Sequence, residues 1–272
     1  MKRVLAISGG MDSMVLLDFC VKKYGKDEIA VAHFNHGTRP SADDDEKFVK
    51  KVAEKYGVLV EVGRGKLGEG VSEEKAREKR YEFLRQVAKK YDAKILTAHH
   101  LDDLCESVAI NFLRGTGWRG LAVLNAKDVE RPLVSWTKKN ILEYAAKNGI
   151  VFREDPTNSD EKYLRNRIRL KIRGLPDEKK TEVGELSSKQ KEIEREIEKI
   201  LDEILPKGRK FGRKWFSQVD DEVGMEILRT RVTATRPQML NFLKAIREYQ
   251  PGKSFNLPKD KLVKIDKDSF VI

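Results

Sequence analysis

A chain of 272 residues, 39% of them hydrophobic, can build two modest domains or one large one around a proper core, which excludes wholesale disorder. No apolar run approaches the roughly 18–20 residues of a membrane span, and the opening Met1 to Ile7 is too short and wrongly flanked for a secretory leader. The net charge is +11, with +3 on residues 1–160 and +8 on residues 161–272, and Cys20 and Cys105 exclude a disulfide scaffold or four-cysteine zinc site and fit a reducing cytoplasm.

The elements follow in chain order. Residues 4–7 read as a buried strand that ends at Ser8-Gly9-Gly10, and a helix with Met14, Leu17 and Val21 on one face follows to Gly25. Residues 29–34 read as a second strand, 41–56 as a helix with acidic residues in its first turn, and 58–62 as a third strand. Residues 72–91 predict a long helix capped by Ser72, residues 94–98 a fourth strand, and residues 102–114 a helix. Strands alternating with helices predict an α/β fold, an open parallel sheet with helices on both faces. After residue 178 the pattern changes. Residues 187–205 predict one amphipathic helix with Ile193, Ile197, Ile200, Leu201, Ile204 and Leu205 in a stripe. The expected organisation is a catalytic domain over 1–178, a connecting helix over 179–206 and a small α+β domain over 207–272, with a helix near 236–248 and strands at 261–265 and 269–272.

The turn between the first strand and helix carries the chemistry. Ser8, Gly9, Gly10, Met11, Asp12 and Ser13 combine close backbone approach, small hydroxyls and a helix N-terminus, which together suit phosphate. Asp12 would repel a bare phosphate and so implies a bridging Mg²⁺. A capped strand–helix turn accounts for a lone Ser-Gly-Gly, but less well for the whole run. All four histidines, His33, His36, His99 and His100, fall at the ends of predicted parallel strands, where ligands of open α/β sheets sit. Asp102, Asp103 and Glu106 crowd the start of the next helix, and the last two share a face. They suit a cationic substrate, a metal or proton removal from an amine; acidic helix capping explains one carboxylate more easily than three.

The Ser-Gly-Gly-x-Asp-Ser run resembles the PP-loop signature of the N-type ATP pyrophosphatases, whose fold is Rossmann-like. More of the chain is similar to one family within them, the tRNA(Ile)-lysidine synthetases. The resemblance rests on His33-Phe34-Asn35-His36-Gly37-Thr38-Arg39, on Ala76-Arg77 with Arg80-Tyr81, and on His99-His100-Leu101-Asp102-Asp103-Leu104-Cys105-Glu106-Ser107, where Ser107 replaces the family's Thr. It continues through Leu113-Arg114-Gly115-Thr116-Gly117, Gly120-Leu121, Arg131-Pro132-Leu133, Glu154-Asp155-Pro156-Thr157-Asn158 and Arg165-Asn166-Arg167-Ile168-Arg169, over about residues 1–175. The 207–272 region matches only in general pattern, and the chain looks like the family's short form. Cys105, where a polar residue is common, is unexplained.

The resemblance implies a ligase that uses ATP, Mg²⁺ and free L-lysine to convert the wobble cytidine of the isoleucine tRNA (CAU anticodon) to lysidine, releasing AMP and pyrophosphate. Ser8 to Ser13 would hold the phosphates with Asp12 near Mg²⁺. His33 and Phe34 would face the adenine, and Arg114 and Gly115 would close over the nucleotide. Asp102, Asp103 and Glu106 would bind the lysine ammonium, with Glu106 the foremost base and His99 beside them as a catalytic group. Arg39, Arg77, Arg80, Arg165, Arg167 and Arg169 would contact RNA, as would Lys210, Arg213 and Lys214 beside Trp215-Phe216, two aromatics that serve equally as core. An oligomer is compatible with all of this.

Two other readings stand beside it. A tRNA thiolase of the same superfamily uses paired cysteines, and no Cys-x-x-Cys is present. A nucleotide-responsive RNA-binding protein without catalysis has no use for the His/Asp/Asp/Glu group.

Overall fold

The computed structural model describes residues 2–37, 42–65, 72–153, 164–205, 208–258 and 261–272. Arg39 and the 154–158 motif lie outside the described residues, as do Lys162 and Lys207 of the basic strips. The chain divides into two compact units, residues 1–191 and 192–272.

The first unit is built on five parallel strands: β1 (Arg3–Ala6), β2 (Ile29–Asn35), β3 (Leu59–Arg64), β4 (Lys94–Leu96) and β5 (Val129–Glu130). Their order is β3-β2-β1-β4-β5, with Leu5 paired to Val31 on one side and Leu96 on the other. The central strands are apolar without a break because both faces are covered. Leu5, Ile29 and Val31 face α1 (Met11–Tyr24), α2 (Ala42–Tyr56) and α5 (Lys138–Lys147). Their neighbours Val4, Ala30 and Ala32 face α3 (Glu73–Lys90), which contributes Tyr81, Leu84 and Val87. Ser72 caps α3 by accepting from Lys75 N at 3.3 Å, as its hydroxyl predicts. A smaller cluster joins α4 (Leu101–Leu113) to α6 (Leu164–Arg173) through Leu104, Ile110, Ile168 and Ile172.

The α/β reading therefore holds, and the sheet gains a fifth strand. β5 escaped sequence reading because two residues carry no periodicity. The expected helix over 187–205 begins earlier, as α7 (Asp177–Ile204), because its first turns are almost wholly polar. The boundary between units falls inside α7 rather than at residue 178 or 206. Its apolar stripe also divides. Ile197, Leu201 and Leu205, spaced by four, pack into the second unit's core, whereas Ile193, Ile200 and Ile204 stay exposed.

The second unit has an antiparallel sheet of β6 (Lys210–Gly212), β7 (Lys253–Leu257), β8 (Lys261–Ile265) and β9 (Ser269–Val271), in the order β6-β9-β8-β7. It packs with α8 (Arg213–Ser217), α9 (Asp221–Arg229) and α10 (Arg236–Glu248). Phe211, Phe216, Phe242 and Phe270 form its centre, with Phe216 edge-on to Phe270 at 5.2 Å. Among the described residues no helix is long and apolar enough to cross a membrane.

The adjacent aromatics thus have different environments: Phe216 is 0% exposed and Trp215 49%. Phe216→Ala is expected to cost about 3–5 kcal/mol of stability, and Trp215→Ala less than about 1 kcal/mol. Urea denaturation of the two variants measures the difference.

Candidate active site

The turn after β1 is held from three sides. Ile7 N donates to Ala32 O at 3.0 Å, His33 Nδ1 donates to Ile7 O at 2.9 Å, and Arg153 N donates to Gly9 O at 3.0 Å. Gly9 has φ +95°, a backbone region closed to most side chains. Ser8 N and Gly9 N both donate to Ser13 Oγ at 3.2 Å, so the loop's donors converge on one oxygen. That is the geometry a phosphate oxygen requires, at the first turn of a helix. The Met11 side chain is partly buried and packs against the core.

Because His33 Nδ1 is a donor, its buried Nε2 is left as an acceptor with no hydrogen-bond partner. Burial holds His33 below the ordinary 6.5. Phe34 packs edge-on against His36 at 4.8 Å and against Phe83 at 5.7 Å. Asn35 serves the same strand end by donating to Asp43 Oδ1 at 2.9 Å and to Glu46 Oε2 at 3.2 Å.

The second strand end brings the carboxylates to this loop. His100 N donates to Asp103 Oδ2 at 2.9 Å, closing the first turn of α4. The His100 imidazole stands between the two motifs, with Nε2 3.8 Å from Asp12 Oδ2 and 3.5 Å from Asp103 Oδ2. Asp12 also pairs with the Lys138 ammonium. Asp103 keeps its other oxygen without a hydrogen bond from the described residues, and its side chain is one-quarter exposed. Glu106 is buried one turn on and meets Arg169, with Nε at 2.9 Å and Nη2 at 3.4 Å. Burial raises the Glu106 carboxyl above its ordinary range, and the Arg169 guanidinium opposes that rise. His99 Nδ1 shares a hydrogen bond with Thr97 Oγ1 at 2.8 Å, and burial pushes its imidazole down to about 4.

Several expected roles do not match these positions. Asp102 accepts from Lys180 Nζ and from Lys138 N, both at 2.8 Å, so both its oxygens are engaged inside the fold and neither is open to a substrate ammonium. Arg169 is turned inward onto Glu106 rather than outward to RNA, while Arg165 and Arg167 are exposed. Arg114 and Gly115 follow the far end of α4, which at about 1.5 Å per residue is roughly 12–18 Å along the axis from the carboxylates of its first turns. Arg213 donates to the carbonyls of Ile246, Asp266 and Tyr249, so its guanidinium ties the second unit together; Lys210 and Lys214 are exposed.

Lys138 and Lys180 are the residues that sequence reading missed. Lys138 carried a signal, because a cation in the first turn of a helix opposes the dipole and asks for an anion nearby. Lys180 sits among charged neighbours and gave none. Cys105 is explained by the same contact. Its thiol is buried against Lys180 O at 3.7 Å, and burial pushes it up to about 11, so it is an inert packing group. In the second unit Arg209, Arg231 and Lys261 line a recess of about 510 Å³, a basic surface assembled from separate segments.

A phosphate-borne Mg²⁺ needs only one or two carboxylates from the protein. Asp12, 37% exposed beside the loop, meets that need, and no cluster of three or more metal-binding side chains exists among the described residues.

The family model of the PP-loop domain matches residues 1–175. A tRNA(Ile)-lysidine synthase of Thermotoga sp. (strain RQ2) is 40% identical over 181 residues, covering 62% of this chain and 44% of that protein. A tRNA(Ile)-lysidine synthase of Thermus thermophilus is 41% identical over 184 residues, covering 65% and 36% respectively. The chain thus spans less than half the length of these relatives. Among solved structures, the U34-tRNA thiolase NcsA of Methanococcus maripaludis superposes with a TM-score of 0.59 at 19% identity, covering 71% of this chain and 72% of its own, a likeness of fold.

Two tests follow from the buried groups. Lys180→Ala strands the Asp102 carboxylate and is expected to cost about 3–5 kcal/mol; the double variant with Asp102→Asn recovers part of that loss in urea melts. His99 and His33 are neutral in the folded chain, so the unfolded chain takes up their protons first. Their contribution is complete above the ordinary 6.5 and fades as pH falls toward 4. The urea midpoint should drop between pH 7.5 and 5, and His99→Gln should reduce that drop.

Proposed function

Because the chain belongs to the PP-loop domain family, we propose that it is an ATP-dependent ligase that joins L-lysine to the wobble cytidine of the isoleucine tRNA bearing a CAU anticodon. One observation carries the reading: a single imidazole, His100, stands within 4 Å of both the phosphate-loop carboxylate Asp12 and the open carboxylate Asp103. A nucleotide and an amine could therefore meet without leaving the site. The lysidine synthase names of relatives at 40–41% identity supply the substrate.

The chain's residues divide the work as follows. The N–H groups of Ser8 and Gly9 and the Ser13 hydroxyl orient the triphosphate, and His33 Nε2 accepts a hydrogen bond from the adenine amine. Asp12 would hold Mg²⁺, which would supply charge neutralisation at the phosphates. The cytosine 2-oxygen attacks the α-phosphorus and pyrophosphate leaves; Lys138, freed from Asp12, is placed to balance the departing charge. The lysine ε-amine then attacks the activated carbon, and AMP departs with that oxygen. Asp103 binds the incoming ammonium, and Glu106 takes its proton, a task its raised pKa suits. Neutral His99 lines the pocket as a hydrogen-bonding group. Exposed Arg165, Arg167, Lys210 and Lys214 add affinity for the RNA backbone, and action on tRNA supports a cytoplasmic location.

Thiolation is the weaker reading. Cys20 and Cys105 are buried on separate helices with raised pKa values, the reverse of a reactive pair. A purely binding role leaves the aligned Asp12, His100 and Asp103 without use.

Incubation with ATP, Mg²⁺, labelled lysine and a tRNA transcript should incorporate label, and replacing the wobble cytidine by uridine should abolish it. Asp103→Asn should lower incorporation at least 100-fold while ATP binding stays within about twofold. Near-normal turnover of that variant would remove Asp103 from the mechanism.

A further inference from the structure

Three arginines gather at one tyrosine on the α3 side of the sheet, and a fourth lies nearby. Tyr81 is buried, and the guanidinium carbons of Arg77, Arg80 and Arg85 stand 4.9, 5.7 and 5.7 Å from its ring centre. Arg131 follows just past β5; burial is the strongest influence on its charge, and the fields of Tyr81, Arg77 and Asp128 also reach it. Arg85 is answered by Asp128 at 2.6 Å. Arg77 has no ion pair among the described residues, and Arg131 donates from Nη1 to Val129 O at 3.0 Å while its Nε is buried without a hydrogen-bond partner.

For Arg77 and Arg131 this arrangement is costly without an anion. Like charges are held in each other's field, and a buried charged donor is unspent. The place matters as well. A helix that returns between parallel strands begins at their carboxyl edge, so Arg77 and Arg80, in the first two turns of α3, share that edge with the phosphate loop. They lie on the sheet face opposite α1. His99 marks the meeting point: the charges acting most strongly on it are Asp103, then Arg131, Arg77 and Arg80.

We propose that Arg77, Arg80 and Arg131, seated around Tyr81, form a phosphate site that grips an RNA backbone phosphodiester beside the reacting nucleotide. The inference rests on the tRNA reading above and adds to it a defined phosphate position across His99 from the triphosphate loop. Arginine suits the task, because its planar fork stacks on an aromatic ring while donating two bonds to phosphate. The same chemistry would also accept pyrophosphate or the end of ATP. The RNA is favoured because the triphosphate has its own loop on the other face and because Arg77 is exposed to a ligand arriving from solvent.

The test uses the full chain, a CAU-anticodon tRNA transcript, ATP, and inorganic pyrophosphate as competitor. Arg77→Ala is the first variant, since an exposed side chain can be removed without disturbing the fold. Arg131→Lys is the second, keeping charge while losing the fork. Arg77→Ala should weaken RNA binding about tenfold and lower the slope of log affinity against log salt by about 0.7, one single-strand phosphate contact. Arg131→Lys should weaken RNA binding by a smaller factor. ATP affinity should stay within about twofold in both variants, and pyrophosphate should displace ATP but not RNA. Weakened ATP binding with unchanged RNA binding would assign the cluster to the nucleotide and overturn the proposal; an unchanged salt slope in Arg77→Ala would overturn it too. If wild-type chain shows the Arg77-dependent slope but incorporates no lysine, the ligase reading fails and the phosphate site stands.

Discussion

Asp102 sits buried in the first turn of α4 and accepts one hydrogen bond from the Lys180 ammonium and another from the backbone of Lys138. Three segments far apart in sequence meet on that carboxylate. Removing two charges from water is expensive, and the pair is tolerated because both Asp102 oxygens are satisfied. Its effect is positional. With α4 and α5 anchored to each other, His100, Asp103 and the Lys138 side chain are all delivered to the phosphate loop.

The charges beyond that anchor are arranged in pairs that a substrate can exchange. Asp12 holds Lys138, and Glu106 holds Arg169. Asp103 is left with an open oxygen between them. In the proposed reaction a triphosphate would compete for Lys138 as an anion, and a lysine substrate would compete for Asp103 and Glu106 as a cation. Each arriving group thus meets an oppositely charged side chain already in position, and little rearrangement is asked of the backbone.

Much of this was legible from local sequence. The strand–helix alternation, the Ser8–Ser13 elbow and the three-residue spacing of Asp103 and Glu106 are short-range patterns, and the fold realises each of them. What was not legible depends on contacts across long sequence separations. Lys180 looks like one more surface lysine until α7 places it against Asp102. Arg169 belongs to a basic strip in sequence but to Glu106 in space, because α6 packs on α4. Asp102 reads as the third member of an acidic cluster, yet its oxygens are spent in the fold. Trp215 and Phe216 are adjacent in sequence and divided by burial.

In the proposed function the glycine elbow and the Asp103 carboxylate serve one reaction. Phosphorus NMR of the products formed from ATP in the presence of tRNA and lysine tests this directly. Cleavage between the α- and β-phosphates, giving AMP and pyrophosphate only when both co-substrates are present, is the predicted result. Formation of ADP and phosphate, or AMP release indifferent to lysine, would contradict it.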